Sequence, residues 1–212
     1  MPAESSSDRS GAAIDCVYPF QGRWLVQNSP ADRVPSHGTT LFGSAHAIDF
    51  VPVDAGGRSA PFTVAALLRT EVPEHFPGFG RRLCSPAHGA IIVVEDSLAD
   101  HRTHRGFPSL LYAASQRTRL AGGWRELAGN HIVIAVGSAF VVLCHLQQHS
   151  AMVVPGQSVT PGEPVARVGN SGNSTEPHVH VQAVDRLDFD NAQPVPMSFA
   201  GGMPRSGEII SV

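Results

Sequence analysis

The sequence predicts an all-β fold, mainly an antiparallel sheet, with a small helical insertion. Three observations lead there. Glycine and proline are abundant, at 21 and 17 of 212 residues, which suits a turn-rich β protein better than a helical bundle. Short β-branched runs recur along the chain, bounded by Gly, Pro, Asn and Asp. The best helix candidate is a single stretch, Ser109–Leu120. An apolar content of 42% supplies a core, and the length suits one domain.

Residues 1–13 are small and polar and are expected to be flexible, leaving 14–212 as a single domain. A short strand is predicted at Trp24–Gln27. Trp24 and Phe42 are both read as core. HAIDFVPV at 46–53 reads as a strand closed by the DAGG turn at 54–57. Gly89–Glu95 (GAIIVVE) is a β-branched strand. The pattern then changes, and about 97–128 is read as an insertion between two strands. Asn130–Val136 and Ala139–His145 flank Gly137-Ser138, a two-residue hairpin turn. Val153–Gly156, Val159–Gly162 and Glu163–Val168 are short strands with Pro-Gly turns between them. Pro177–Val184 is the final strand, and the chain beyond Asp185 is loop-like.

Composition narrows the function. The formal net charge is −3 and charged residues are 16%, unlike a basic nucleic-acid binder. All 15 basic side chains are Arg, which excludes Schiff-base and P-loop lysine chemistry. No run approaches eighteen apolar residues, so no membrane span is expected. The N-terminus lacks the pattern of an export signal, which points to the cytoplasm. Cys16, Cys84 and Cys144 are odd in number and widely spaced, so they are expected to be reduced. Eleven histidines favour metal or acid–base chemistry.

The sharpest motif is Pro177-His178-Val179-His180. Side chains two apart on a strand share a face, so both imidazoles can serve one metal-centred site. A Gly/Asn/Ser loop, Gly169-Asn170-Ser171-Gly172-Asn173-Ser174-Thr175-Glu176, feeds directly into it. Upstream lie Cys144-His145-Leu146 at a hairpin end, His46-Ala47-Ile48-Asp49-Phe50, and Ser36-His37-Gly38. Cys144 and His145 are adjacent in a strand and are expected on opposite faces, which argues against a Cys–His nucleophile pair.

In joint order and spacing these pieces resemble the lysostaphin/LytM-type zinc metallopeptidases. The resemblance runs from about Pro19 to Phe199. It also takes in Ser85-Pro86-Ala87-His88-Gly89-Ala90-Ile91-Ile92, Gly129-Asn130-His131-Ile132-Val133-Ile134 and the Val/Gly spacing at 153–162. It implies a narrow groove over an antiparallel sheet, one Zn²⁺ per chain, and a peptide or peptidoglycan-like substrate. Asp49 and His180 would be metal ligands; His145 and His178 would handle protons and polarise the substrate. Members of that family usually work outside the cytoplasm. Two other functions stay open: an intracellular amide hydrolase acting on a small peptide or biosynthetic intermediate, and an inactive binding or regulatory member.

The chain departs from the family pattern at the third ligand. The usual His lies four residues before the Asp, and position 45 is Ala. His37 and His46 are the candidates. If 45–51 is a strand, His46 lies an odd three residues from Asp49 and faces away. His37 is therefore expected as the ligand, carried by a loop whose Gly38 permits unusual backbone angles and whose Gly43 helps the chain turn back. Glu176 adds a negative charge beside His178, where small residues are commoner.

Overall fold

The computed structural model describes residues 13–61, 63–114, 119 and 121–212. The N-terminal residues expected to be flexible lie almost wholly outside this set. Twelve strands are described: β1 (Ile14–Cys16), β2 (Arg23–Gln27), β3 (Ile48–Pro52), β4 (Arg82–Cys84), β5 (Gly89–Glu95), β6 (Asn130–Val136), β7 (Ala139–Leu146), β8 (Ser158–Val159), β9 (Pro164–Arg167), β10 (Val179–Val184), β11 (Met197–Phe199) and β12 (Ile209–Ser211). Between β5 and β6 the described residues include the α-helices α1 (Phe107–Ala114) and α2 (Gly123–Ala128). The fold is thus mostly β with a small helical insertion, as the sequence predicts. Among the described residues no helix is long and apolar enough to cross a membrane.

Eight strands form one antiparallel sheet in the order β12-β2-β3-β10-β7-β6-β5-β8. Two small pairs, parallel β1–β11 and antiparallel β4–β9, complete the sheet structure. Alternation decides what each face of the large sheet carries. Ile48, Phe50, Val179, Val181, Leu143, Ile132 and Ile134 point to one side, into a core shared with Cys16, Phe20, Leu83, Val165 and Phe199. Phe20 stacks on Trp24 with ring centroids 4.2 Å apart, and Phe50 meets Phe20 edge-on at 5.0 Å.

On the opposite face, registered positions place a polar row across six strands: Gln27, Asp49, His180, Cys144, His131 and Glu95. A second apolar cluster covers part of that face. It joins Val133, Val142 and Val184 to Ala128 of α2 and to Ala192, with Trp124 and Phe189 packed against it. The Trp124 and Phe189 rings stack 4.0 Å apart. Arg125 of α2 is tied to Glu95 of β5 at 2.7 Å.

The structure corrects several expected elements. Residues 46–53 are not one strand: Leu41–His46 is a 3-10 turn, with Phe42 and Gly43 in the left-handed region, and β3 starts at Ile48. Residues 153–156 carry no strand, and β10 starts at Val179 rather than Pro177. The chain after Asp185 is not all loop, because β11 and β12 close two sheet edges there. The expected helix over 109–120 is α1 up to Ala114; residues 115–118 and 120 lie outside the described set. Phe42 is not core but lines the groove, whereas Trp24 is fully buried.

Loop 169–175 is clamped to the start of β6. Gly129 (φ +63°) and Gly172 (φ +71°) approach so closely that a Cβ on either would overlap the other's backbone. Ser171 Oγ accepts from Asn130 N at 3.0 Å and donates to the Leu146 carbonyl at 2.8 Å. Gly172→Ala combines an unfavourable left-handed alanine, about 1–2 kcal/mol, with overpacking of about 1–3 kcal/mol. It should lose at least about 2 kcal/mol in urea unfolding, and an unchanged midpoint would contradict the clamp.

Candidate metal centre

Asp49 sits mid-strand on β3 and points into the groove, 5% exposed. Its Oδ2 lies 2.9 Å from His37 Nε2 and accepts from Asn28 Nδ2 at 2.7 Å. Its Oδ1 lies 2.9 Å from His180 Nδ1 and 3.8 Å from His178 Nε2. Ligand atoms of His37, Asp49 and His180 all fall within 4.8 Å of one another. Two imidazole nitrogens and one carboxylate oxygen suit Zn²⁺, whose catalytic sites keep three protein ligands and an open fourth position. The residues present therefore fit a zinc ion.

Each side chain arrives by a different route. His180 is the register partner of Asp49 across β10–β3. His37 comes from a loop closed by Ser36 N donating to the Ala45 carbonyl at 3.0 Å, with left-handed turns at Gly38 and Gly43. Ser36 Oγ, whose proton goes to the Ser44 carbonyl at 3.4 Å, can accept from His37 Nδ1–H at 3.0 Å. That leaves Nε2 of His37 to face Asp49. His46 ends the 3-10 turn and is not part of this cluster. Strand alternation does not extend back to His46, so the parity argument against it has no strand to act on.

His145 and His178 flank the cluster, with ring centroids 4.7 Å apart. His145 Nδ1 lies 2.9 Å from the Ser171 carbonyl, and His178 Nδ1 lies 2.8 Å from the Glu176 carbonyl. Carbonyls only accept, so both rings carry their proton on Nδ1 and offer Nε2. His145 is left-handed (φ +62°) and occupies a β-bulge: Asn130 pairs Leu146 and His131 pairs Cys144, leaving His145 unopposed. The bulge turns His145 onto the groove side, so Cys144 and His145 line the same cavity, contrary to the alternation expected from sequence. Burial nevertheless raises the Cys144 thiol pKa far above its ordinary value, with Asp49 adding to the effect, so Cys144 is no thiolate.

The electrostatics centre on Asp49. Burial alone would raise its pKa; His37 and His178, with hydrogen bonds from His180 and His37, outweigh burial and hold it well below the ordinary value. Burial also works against charge on His37, yet Asp49 raises its pKa overall. His145 behaves oppositely. Burial, then the neighbouring His178 and His180, push it well below the ordinary value and keep the ring neutral.

The groove is a cavity of about 320 Å³. Leu41, Phe42, Trp124 and Leu127 form an apolar wall; Asn28, Asn173, Thr175 and Glu176 form polar rims. Glu176 Oε2 accepts from Ser59 Oγ at 2.7 Å. Arg119 lies over the Tyr112 ring at 3.6 Å and donates to Asn173 Oδ1 at 2.7 Å, tying the insertion to the loop before His178. Asn28 and Gln182 belong to the site although sequence reasoning missed them. Asn28 ends a strand in a left-handed turn, and Gln182 continues the period-two series from His178 and His180.

Residues 106–195 match the sequence model of peptidase family M23. Over 78 residues the chain is 31% identical to the peptidoglycan DD-endopeptidase ShyA of Vibrio cholerae, a match covering 37% of this chain and 18% of that protein. The match thus spans about a fifth of the curated relative's length. Among solved structures, the catalytic domain of lysostaphin from Staphylococcus simulans aligns with 84% of this chain and 86% of its own, at 15% identity and a TM-score of 0.37. Helicobacter pylori Csd3 aligns with 92% of this chain and 36% of its own, at 14% identity and a TM-score of 0.46. The matched residues include α1, α2, His145, His178 and His180, while His37 and Asp49 lie upstream of them.

Because the folded His145 pKa is depressed below its unfolded value of 6.5, the unfolded chain takes up a proton that the fold refuses. Its contribution to stability is full above pH 6.5 and declines as pH falls below it. In the metal-free chain, His145→Gln should therefore lose less stability between pH 7.5 and 5.5 than the parent. Urea unfolding in chelator measures this, and equal losses would contradict a neutral buried His145.

Proposed function

We propose that this chain is a zinc-dependent peptidase that hydrolyses peptide bonds of the kind found in peptidoglycan. The observation that carries the proposal is the His37–Asp49–His180 cluster on a groove floor, with His145 and His178 beside it. The match to peptidase family M23 supports peptidase chemistry, and the similarity to ShyA supports a peptidoglycan-type substrate.

His37, Asp49 and His180 would hold the metal. Zn²⁺ there supplies a Lewis acid that polarises the scissile carbonyl and makes an attacking water more acidic. The chain's own groups do the rest. His145 is neutral, and its Nε2 is free because Nδ1–H is committed to the Ser171 carbonyl. It can take a proton from water at neutral pH. His178, fixed by the Glu176 carbonyl, turns Nε2 toward the same space; once Nε2 has also taken up a proton, it can donate that proton to the developing oxyanion or the leaving amine. The apolar wall at Phe42 and Trp124 limits water access on one side of the groove.

Chelation should abolish peptide cleavage, and added Zn²⁺ should restore it. Asp49→Ala and His180→Ala should lose bound zinc. His145→Ala and His178→Ala should keep it yet lose about 10²-fold or more in rate. Elemental analysis after dialysis, paired with mass spectrometry of digested muropeptides, reads both. Cleavage by a metal-free chain would contradict the proposal, and zinc loss from His178→Ala matching that from His180→Ala would reverse the assigned roles.

A further inference from the structure

Gln182 is 1% exposed on a strand otherwise rich in Val and Ala. A buried amide is costly unless both its ends are satisfied. Here both are. Nε2 donates to the Phe42 carbonyl at 2.8 Å, and Oε1 lies 2.9 Å from His180 Nε2.

The order of these contacts is fixed by chemistry. A backbone carbonyl has no proton, so the amide NH₂ must face Phe42 and the amide oxygen must face His180. An amide oxygen only accepts, so His180 Nε2 must carry the ring proton. Nδ1 is then the ring nitrogen left for the metal; it faces Asp49 Oδ1 at 2.9 Å. The Phe42 carbonyl is presented by a tight turn. Phe42 (φ +57°) and Gly43 (φ +71°) are both left-handed, and a Cβ on Gly43 would meet Val184 Cγ1 at 2.5 Å.

We propose that Gln182 is a positioning residue: it relays the direction of the Phe42 carbonyl to His180, fixing the tautomer and ring orientation that present Nδ1 to the metal. This rests on the zinc reading of the cluster and deepens it. A metal-ligating histidine commonly donates its second N–H to such a partner, whose loss costs about 10–100-fold in metal affinity.

Two measurements test it. The first is the ¹⁵N–¹H long-range spectrum of the ring of His180, recorded zinc-loaded. It should show the proton on Nε2; a proton on Nδ1 overturns the proposal without any variant. The second is zinc affinity, by competition with a chromophoric chelator. Gln182→Met keeps length and removes the acceptor, and should bind about 10–100-fold more weakly. Gln182→Glu keeps an acceptor for His180 but loses the donor to the Phe42 carbonyl, so it should weaken binding by less than Gln182→Met does. Equal losses in the two variants, or wild-type affinity in Gln182→Met, overturn the proposal. The peptidase reading fails separately: a chain that binds zinc as described but cleaves no peptide refutes that reading and leaves Gln182 in place. A chain that binds no zinc refutes the zinc reading and the proposal with it.

Discussion

A carboxylate buried in the middle of a sheet is the constraint around which this molecule is organised. Asp49 is almost inaccessible to water, and an uncompensated charge there would cost several kcal/mol. Compensation comes from parts of the chain far apart in sequence: Asn28 at the end of β2, His37 from a closed loop, and His178 and His180 at the start of β10. Those groups meet only if β3 lies between β2 and β10 in the observed register. A slip of one residue would turn Asp49 into the apolar core and Phe50 into the groove. The well-packed layer of Phe20, Trp24 and Phe50 beneath opposes that slip.

The remaining site residues are oriented by backbone carbonyls. Ser171 and Glu176 orient His145 and His178, and both carbonyls belong to the loop clamped at Gly129 and Gly172. Arg119 and Tyr112 of the insertion brace the same loop through Asn173 and the Gly172 carbonyl. The helical insertion therefore does two things at once. It covers part of the groove face with Trp124, and it supports the loop that orients His145 and His178. A change in the insertion is expected to reach the chemistry through these carbonyls.

Much of this was legible in the sequence, in proportion to how local the signal is. The β6–β7 hairpin follows from two β-branched runs around Gly137-Ser138, and HxH places two imidazoles near one point. Long-range pairing was invisible: β1 and β11 are parallel partners separated by nearly the whole chain, and neither has a period of its own. Alternation failed at two places where it was relied on. His145 occupies a bulge, so it shares a cavity with Cys144. His46 ends a 3-10 turn, so parity with Asp49 does not apply to it. Asn28 and Gln182 went unnoticed because an Asn at a turn and a Gln in a strand carry no motif; only their hydrogen bonds to Asp49 and His180 reveal them.

The central claim is that His37, Asp49 and His180 form one nitrogen- and oxygen-lined zinc centre. Cys144 gives the claim a real competitor, because its thiol is the cross-strand neighbour of His180 and lines the same cavity. Zinc K-edge X-ray absorption of the chain loaded with one equivalent of Zn²⁺ separates the two. The account predicts a first shell of nitrogen and oxygen only, at about 2.0–2.2 Å, with the outer-shell scattering of two imidazoles. A sulfur scatterer at about 2.3 Å, or the imprint of a different number of imidazoles, would contradict it.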